Sequence, residues 1–457
     1  MVETLSEKQP LPWWRRILLG FVLIAMALVA VLILIGYLAE RQLGEEIVKI
    51  SQAGEPITFS DLEADLEQNG THEDAARYYA EALDSISQKS LEDLRRFNIF
   101  YLKNMGFLPV SQFPSVVRER VAQHLSNLRP VLERFDKGAA LPLSRFEIGI
   151  DQGMQVCKAR LDYAQTAIIL LSLRTLDMKL CGEDDAAVNS AISMLKMVRI
   201  FDTHPVMVVH GAKLVFVGLA CNDIILLLGY GRHSEKSLAE LQQVLSETIA
   251  SNALERMFFA ERVYQTEIGR NLIPEHIASR FLQDKVPDLP ERLSLSASRW
   301  TRLRRQQAAV RYFHDMAQSI TASRRPWPEP LDAIVYDVPA SKEKPSNLLS
   351  SSAAFIRLTG KILALVRCTI LAVAIERYRL SRGELPGSLN DLSPPYIDSI
   401  PLDPFTGKKL LYKRDGETYL VYSVGINRRD DDGSIMPSAD GESEQDLGFR
   451  IRFRELE

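Results

Sequence analysis

The densest group of side chains capable of chemistry lies near the C-terminus, where seven carboxylates fall between residues 430 and 446. They are Asp430, Asp431, Asp432, Asp440, Glu442, Glu444 and Asp446. Like charges this close repel one another unless water or a cation neutralises them. Ca²⁺ takes about six to eight oxygen ligands and suits such a loop. The spacing is not that of an EF-hand, because Ala439 stands where that motif requires its last glutamate. Two interpretations stay open, a calcium site and a disordered, solvated acidic loop.

The rest of the chain contains no catalytic motif. Its seven histidines form no HExxH pair, and there is no nucleophile elbow, phosphate-binding loop or dinucleotide fingerprint. Close carboxylates such as Glu81 with Asp84 arise by chance in glutamate-rich helices. We therefore predict no catalytic and no cofactor-binding residue, and a protein that is not an enzyme. A hydrolase with its site in the helical body is an alternative.

The composition favours a globular protein that neither binds nucleic acid nor uses its cysteines for redox chemistry or metal binding. The chain has 457 residues, of which 46% are hydrophobic, and this is ample for a sizeable core. Its formal net charge of −4 provides no basic bias, so we predict no nucleic-acid partner. The four cysteines are widely scattered and form no CxxC pair, which favours structural burial over redox or metal roles. They are Cys157, Cys181, Cys221 and Cys368.

One uncharged apolar stretch, residues 17–39, decides the predicted compartment. Its sequence is ILLGFVLIAMALVAVLILIGYLA. As a helix it would span about 35 Å, which is enough to cross the hydrocarbon layer. The stretch is longer than the apolar region of a signal peptide, and no persuasive cleavage site follows it. It predicts an uncleaved, single-pass signal anchor.

The flanking charges predict the orientation of this anchor. Lys8, Arg15 and Arg16 precede it, whereas Arg41 follows it among glutamates. The positive-inside rule then places residues 1–16 in the cytoplasm and the bulk of the chain outside. We expect a protein of the bacterial inner membrane whose larger part is periplasmic.

Helical periodicity dominates the chain after the anchor and predicts an all-α extracytoplasmic body over residues 40–322. The apolar segment 206–229 is long enough to span a membrane, but His210, Lys213 and Asp223 interrupt it and favour a core helix. Prolines and charges over residues 323–351 predict a linker. A long amphipathic helix is then expected from residue 352 to 382.

A β-hairpin is predicted after this helix. KLLYKR and TYLVYSV alternate in polarity on either side of Asp415-Gly416, which is a strong hairpin turn signal. Two strands alone are marginally stable in water, so they must pack on a helix. The apolar face of residues 353–380 is the expected partner. The overall prediction is a mainly α protein with a small α+β module over residues 352–457.

This module resembles the C-terminal part of the G-type major pseudopilins of type II secretion. The resemblance rests on motifs that occur in the family's order along the chain. They are Tyr378, Gly383, Pro386, Leu389, Leu392, Pro401, Asp403-Pro404-Phe405, Gly407, Leu411-Tyr412 and Tyr422-Ser423-Val424-Gly425. The whole arrangement also resembles a group of uncharacterised bacterial envelope proteins.

The pseudopilin resemblance implies calcium in the acidic loop. The candidate ligands that it implies are Asn427, Asp430, Asp432, Asp440 and Asp446. The chain also departs from the family, because residues 40–351 separate the anchor from the module and no prepilin processing site precedes the anchor. We therefore expect a non-enzymatic envelope scaffold with protein partners, a secretion-like apparatus among the candidates. A pseudopilin-related assembly subunit is the alternative.

Overall fold

The computed structural model describes residues 12–56, 61–62, 75–87, 115–141, 154–202, 205–229, 232–270, 311–336, 347–435 and 445–452. The protein is mostly helical, with a small three-stranded sheet at its C-terminal end, as the sequence predicts. It forms two compact units. The first combines residues 1–57 with 268–315, and the second combines residues 58–267 with 316–457.

The first unit contains α1, a 40-residue helix over Trp13–Gln52. Its segment Trp13–Ile35 has a mean hydropathy of 3.3, and none of its most apolar window is buried. The later turns are charged and carry the ion pairs Arg41–Glu45 and Lys49–Glu46. The helix therefore has an apolar part that is long enough to cross a membrane and a polar part that suits water.

Ten further α-helices of ten or more residues follow in the described residues. They are α2 (Ala75–Asp84), α3 (Ser115–Asn127), α4 (Arg129–Ala139), α5 (Met154–Leu180), α6 (Asp184–Val198), α7 (Met207–Leu228), α8 (Glu235–Glu247), α9 (Ala253–Arg270), α10 (311–323) and α11 (Asn347–Arg382). The side chain of Ser234 caps α8 by accepting the N–H of Ser237, which is the typical role of serine at this position.

Helices α5, α6, α7, α8 and α11 pack together and bury the main apolar core of the second unit. Two ion pairs lie at its margins. The guanidinium of Arg174 on α5 donates to both carboxylate oxygens of Asp136 on α4, each at 2.8 Å. Lys213 on α7 is buried and donates to Asp202 at 2.7 Å. Pairing offsets the desolvation cost of each buried cation.

The C-terminal sheet consists of β1 (Leu411–Asp415), β2 (Thr418–Ser423) and β3 (Leu447–Arg452). The strands are antiparallel in the order β1-β2-β3. Gly416 has φ of +59°, which the tight turn between β1 and β2 requires and glycine adopts without strain. The predicted hairpin and its packing on α11 are confirmed, whereas β3 was not predicted.

Residues 324–336, within the predicted linker, pack into the second unit. Pro330 and Leu331 are buried, and the ring of Trp327 covers Gly360 on α11 closely. Residues 337–346 lie outside the described residues, and α11 already begins at Asn347. Most of the helical body, residues 58–267 and 316–322, thus shares one compact unit with the C-terminal module, whereas residues 40–57 and 268–315 belong to the first unit. Whether the module is a separate domain stays a prediction.

Candidate functional site

The acidic turn, defined as residues 425–435, follows β2. Asp446, the residue just before β3, accepts a hydrogen bond from it at Gly433. Its backbone is tightly curled, with positive φ at Arg428, Asp432 and Gly433. A Cβ on Gly433 would lie only 2.2 Å from the side chain of Leu420 on β2, so this position accepts no larger residue without rearrangement. The turn is therefore packed directly against the sheet.

Asp446 is the most unusual carboxylate of this region. The residue is only 2% exposed. Its Oδ2 accepts the N–H of Gly433 at 2.8 Å, whereas its Oδ1 has no hydrogen-bond partner among the described residues. Burial raises the pKa of Asp446, the carboxylates of Asp430 and Asp431 raise it further, and backbone N–H groups oppose the shift. A buried carboxylate oxygen without a partner is costly, so it calls for a proton or a cation.

Asp430 and Asp432 have different surroundings. Asp430 Oδ1 accepts the Tyr422 hydroxyl at 3.1 Å and the N–H of Asp432 at 2.9 Å. The carboxylate of Asp432 instead points to solvent and binds the ammonium of Lys413 on β1. This ammonium lowers the pKa of Asp432. Asp432 is therefore already neutralised by a side chain of the protein.

Asn427 fixes the start of the acidic turn. Its Oδ1 accepts the N–H of Arg429 at 2.9 Å, and its Nδ2 donates to Asp431 Oδ2 at 2.8 Å. The amide is thus held against Asp431, which was not among the predicted ligands. The run Asp430-Asp431-Asp432 signals these acids in the sequence, but it does not reveal which of them faces Asp446.

The structure brings the predicted ligands together only in part. Asp440 lies outside the described residues, and among the described ones no group of three or more metal-binding side chains stands in position to hold an ion. Of the predicted ligands that are described, Asp446 is the one with a buried, unpartnered oxygen, and the carboxylates of Asp430 and Asp431 raise its pKa. As described, these three acids do not form a group that could hold calcium.

Asp403, which is not among the site residues predicted from the sequence, anchors the neighbouring turn. It is 2% exposed, its Oδ1 accepts the N–H of Phe405 and the hydroxyl of Ser423, and its Oδ2 accepts the N–H of Val424. The residue thereby joins the turn at 403–407 to the end of β2. Asp-Pro is the only signal in the sequence for this role, since aspartate commonly bonds its own backbone two residues on.

A cleft of about 460 Å³ opens between α8, α11 and the proline-rich turn 394–401. Arg377 lies within it and donates to Glu235 Oε1, to Gln242 Oε1 and to the carbonyl of Tyr396. The remaining lining is mostly apolar or uncharged, with Asp398 as the second charged group. Because Arg377 already has several partners, the cleft has the character of a docking surface more than of a catalytic centre.

Comparisons with protein-family models, curated proteins and solved structures give no match for this chain. The pseudopilin resemblance therefore stays a prediction that rests on the motifs alone.

Proposed function

We propose that this protein is a non-enzymatic, membrane-anchored scaffold of the bacterial envelope, held by a single pass of α1. The proposal rests on the contrast between α1 and the other apolar helices. Among the described residues, three helices are long and apolar enough to cross a membrane. The most apolar window is 61% buried in α7 and 78% buried in α11, but none of it is buried in α1.

A core helix differs from a membrane span in that the protein itself buries its apolar surface. Helix α7 carries the Lys213–Asp202 ion pair and the buried His210, whose Nε2 lies 3.4 Å from Thr359 Oγ1 on α11. Helix α11 carries the sheet on one face. Both helices therefore have protein against most of their apolar surface. Of these three helices, α1 is the one that leaves the whole of its most apolar window unburied, for a bilayer to cover.

The charges around α1 support an N-terminus in the cytoplasm. Three basic residues precede the apolar stretch, and the following turns contain Arg41 and Lys49 paired with glutamates. In the proposed topology, the second unit lies outside the cytoplasm, where calcium is available. We propose that the scaffold binds protein partners in the envelope, such as a secretion-like apparatus.

Calcium has a structural role in this proposal. Asp446, whose buried Oδ1 has no partner among the described residues, would be one of its ligands, and the ion would offset the repulsion from Asp430 and Asp431 that raises the pKa of Asp446. The ion would link the acidic turn to the start of β3. No reaction step is assigned to it.

One observation favours a pseudopilin-related assembly subunit as the second candidate. A 36-residue helix, α11, runs directly into the turns and antiparallel sheet that carry the family's motifs. The helix is largely buried in the second unit, so its packing surface is already occupied. Helix stacking of the pseudopilin type would require that surface, and the scaffold is therefore the better-supported function.

Topology reporters test the proposed function directly. Alkaline phosphatase, which is active only outside the cytoplasm, and green fluorescent protein, which fluoresces in the cytoplasm, would each be fused to the C-terminus. We expect an active phosphatase and a dark fluorescent protein. When the green fluorescent protein is fused after residue 8 instead, on the proposed cytoplasmic side of α1, it should fluoresce. A fluorescent C-terminal fusion in the cytosol would refute the proposed topology and the calcium role together.

A further inference from the structure

The second unit exposes few large apolar side chains, and two of them lie together on α7. Outside α1, the exposed large apolar residues among those described are Val208, Val215, Leu380 and Leu402. Val208 is 45% exposed and Val215 is 59% exposed. They are seven residues apart, which places them on the same side of the helix two turns from each other.

These two valines belong to a continuous stripe, here named the α7 face. Its members are Val208, Ala212, Val215, Leu219, Asn222 and Leu226, all exposed or half-buried. Successive members are alternately four and three residues apart. This average spacing of about 3.5 residues is that of helices that pack side by side in coiled coils. The neighbouring side of α7 is occupied by α11, where Phe355 and Ile362 lie against Gly211 and Gly218.

We propose that the α7 face binds the α7 face of a second copy of this chain. In a two-fold symmetric interface the same patch meets itself, so a charged patch would meet its own charge. The α7 face contains no charged residue and only one polar residue, Asn222. The amide of Asn222 carries both donors and an acceptor and can therefore bond the same amide or a backbone group across the interface.

A lipid surface fits this face less well than a second copy does. Helices that lie on membranes pair an apolar face with lysines, arginines and interfacial aromatic residues. The α7 face has neither aromatic nor basic members. The proposed anchoring by α1 would also hold the copies in one plane, which raises their effective concentration for self-association.

The substitution Val215→Glu tests this interface in the full-length protein, with Leu380→Glu as a matched control. Both positions are exposed apolar residues on helices, and only Val215 belongs to the α7 face. In detergent, we expect a wild-type dimer whose association is weakened by V215E by at least about tenfold, because each interface would bury a charge. L380E should remain dimeric. Mass is measured by light scattering after gel filtration, and thermal melting checks that both variants fold.

Disulfide cross-linking in native membranes provides a second readout that does not depend on detergent. The background is Cys181→Ser, because Cys181 is exposed. We expect V215C to form cross-linked dimers on mild oxidation and L380C not to form them. A monomeric wild-type protein without V215C cross-links overturns the proposal. So does a dimer that V215E leaves intact, or a V215E effect confined to binding of phospholipid vesicles.

Discussion

At the scale of single residues, burial separates the acidic side chains into different roles. Asp403 is buried with three hydrogen bonds to its oxygens and organises a turn. Asp432 is exposed and paired with Lys413. Asp446 is buried with one oxygen unpartnered among the described residues. Of these three, Asp446 is the one that leaves a buried anionic group for a cation to stabilise.

Asp446→Asn therefore tests the calcium role. The asparagine can still accept the N–H of Gly433, but it removes the charge that a cation needs. Ca²⁺ at about 10 mM should stabilise the full-length wild-type protein by roughly 1–3 kcal/mol, if the dissociation constant is that of extracellular calcium modules, about 10⁻⁴ to 10⁻³ M. The melting temperature of the wild type should rise by a few degrees, and that of D446N should not.

Asp415→Asn is the control, because Asp415 is exposed in the hairpin turn, away from Asp446 along the sheet. This variant should retain the calcium-dependent rise in melting temperature. An unchanged wild-type melting temperature in Ca²⁺, or an equal rise in D446N, contradicts the assigned role.

At the scale of elements, a buried carboxylate joins α11 to the sheet. Glu376 on α11 is 1% exposed, and its oxygens accept the hydroxyl of Tyr419 on β2 at 3.1 Å and Arg379 Nε at 2.9 Å. Burial raises the pKa of Glu376 to about 7, although Arg379 and Tyr419 both oppose the rise. The contact between helix and sheet should therefore respond to pH near neutrality.

The sign of this response follows from proton binding. The pKa of Glu376 is higher in the folded than in the unfolded chain, where it is about 4.5, so between these values the folded state holds a proton that the unfolded state has lost. The contribution of Glu376 to the free energy of unfolding is full below about pH 4.5 and decreases by at most about 1.4 kcal/mol per pH unit up to about pH 7.

Glu376→Gln removes this titration while retaining a group that can accept the Tyr419 hydroxyl. We expect E376Q to lose stability less steeply than the wild type between pH 5 and 7, as urea unfolding at a series of pH values would measure. Glu384→Gln, at an exposed position just beyond α11, should follow the wild-type curve. If E376Q and wild type have parallel curves, Glu376 does not titrate as described.

At the scale of the whole molecule, the distribution of apolar surface divides the chain's helices into two kinds. Most apolar helices turn their surface towards protein, as α7 and α11 do, whereas α1 buries none of its most apolar window. Apolar area exposed to water costs about 25 cal/mol per Å². With α1 as the proposed membrane anchor, this exposed surface would make the full-length chain dependent on a bilayer or detergent.

Deleting residues 1–40 should convert the protein into one that stays in solution after lysis without detergent. We expect the truncated chain in the supernatant of a high-speed spin, with helical circular dichroism and a melting temperature within a few degrees of the full-length protein. The full-length protein should remain in the membrane pellet after washing with alkaline carbonate. A folded truncated chain that still fractionates with membranes would show that α7 or α11 enters the bilayer.

The sequence by itself determined the features that depend on neighbouring residues. The length and uninterrupted apolar character of residues 17–39 identify a membrane-compatible helix, and Asp415-Gly416 identifies a hairpin. Each signal acts within neighbouring residues, through helical periodicity or turn conformation. Charges in residues 206–229 favour a core position in the same way, and most of that helix is buried.

Only the tertiary structure decided which acids meet and which surfaces stay open. β3 pairs with β2 across the acidic turn, and this pairing buries Asp446 beside residues far from it in the chain. Contacts between distant segments also decide three other features. They are the hydrogen bonds of Asp403, the cleft at Arg377 and the exposed α7 face. Burial and hydrogen-bond partners are set by how whole elements pack, and a local pattern of residue types does not encode them.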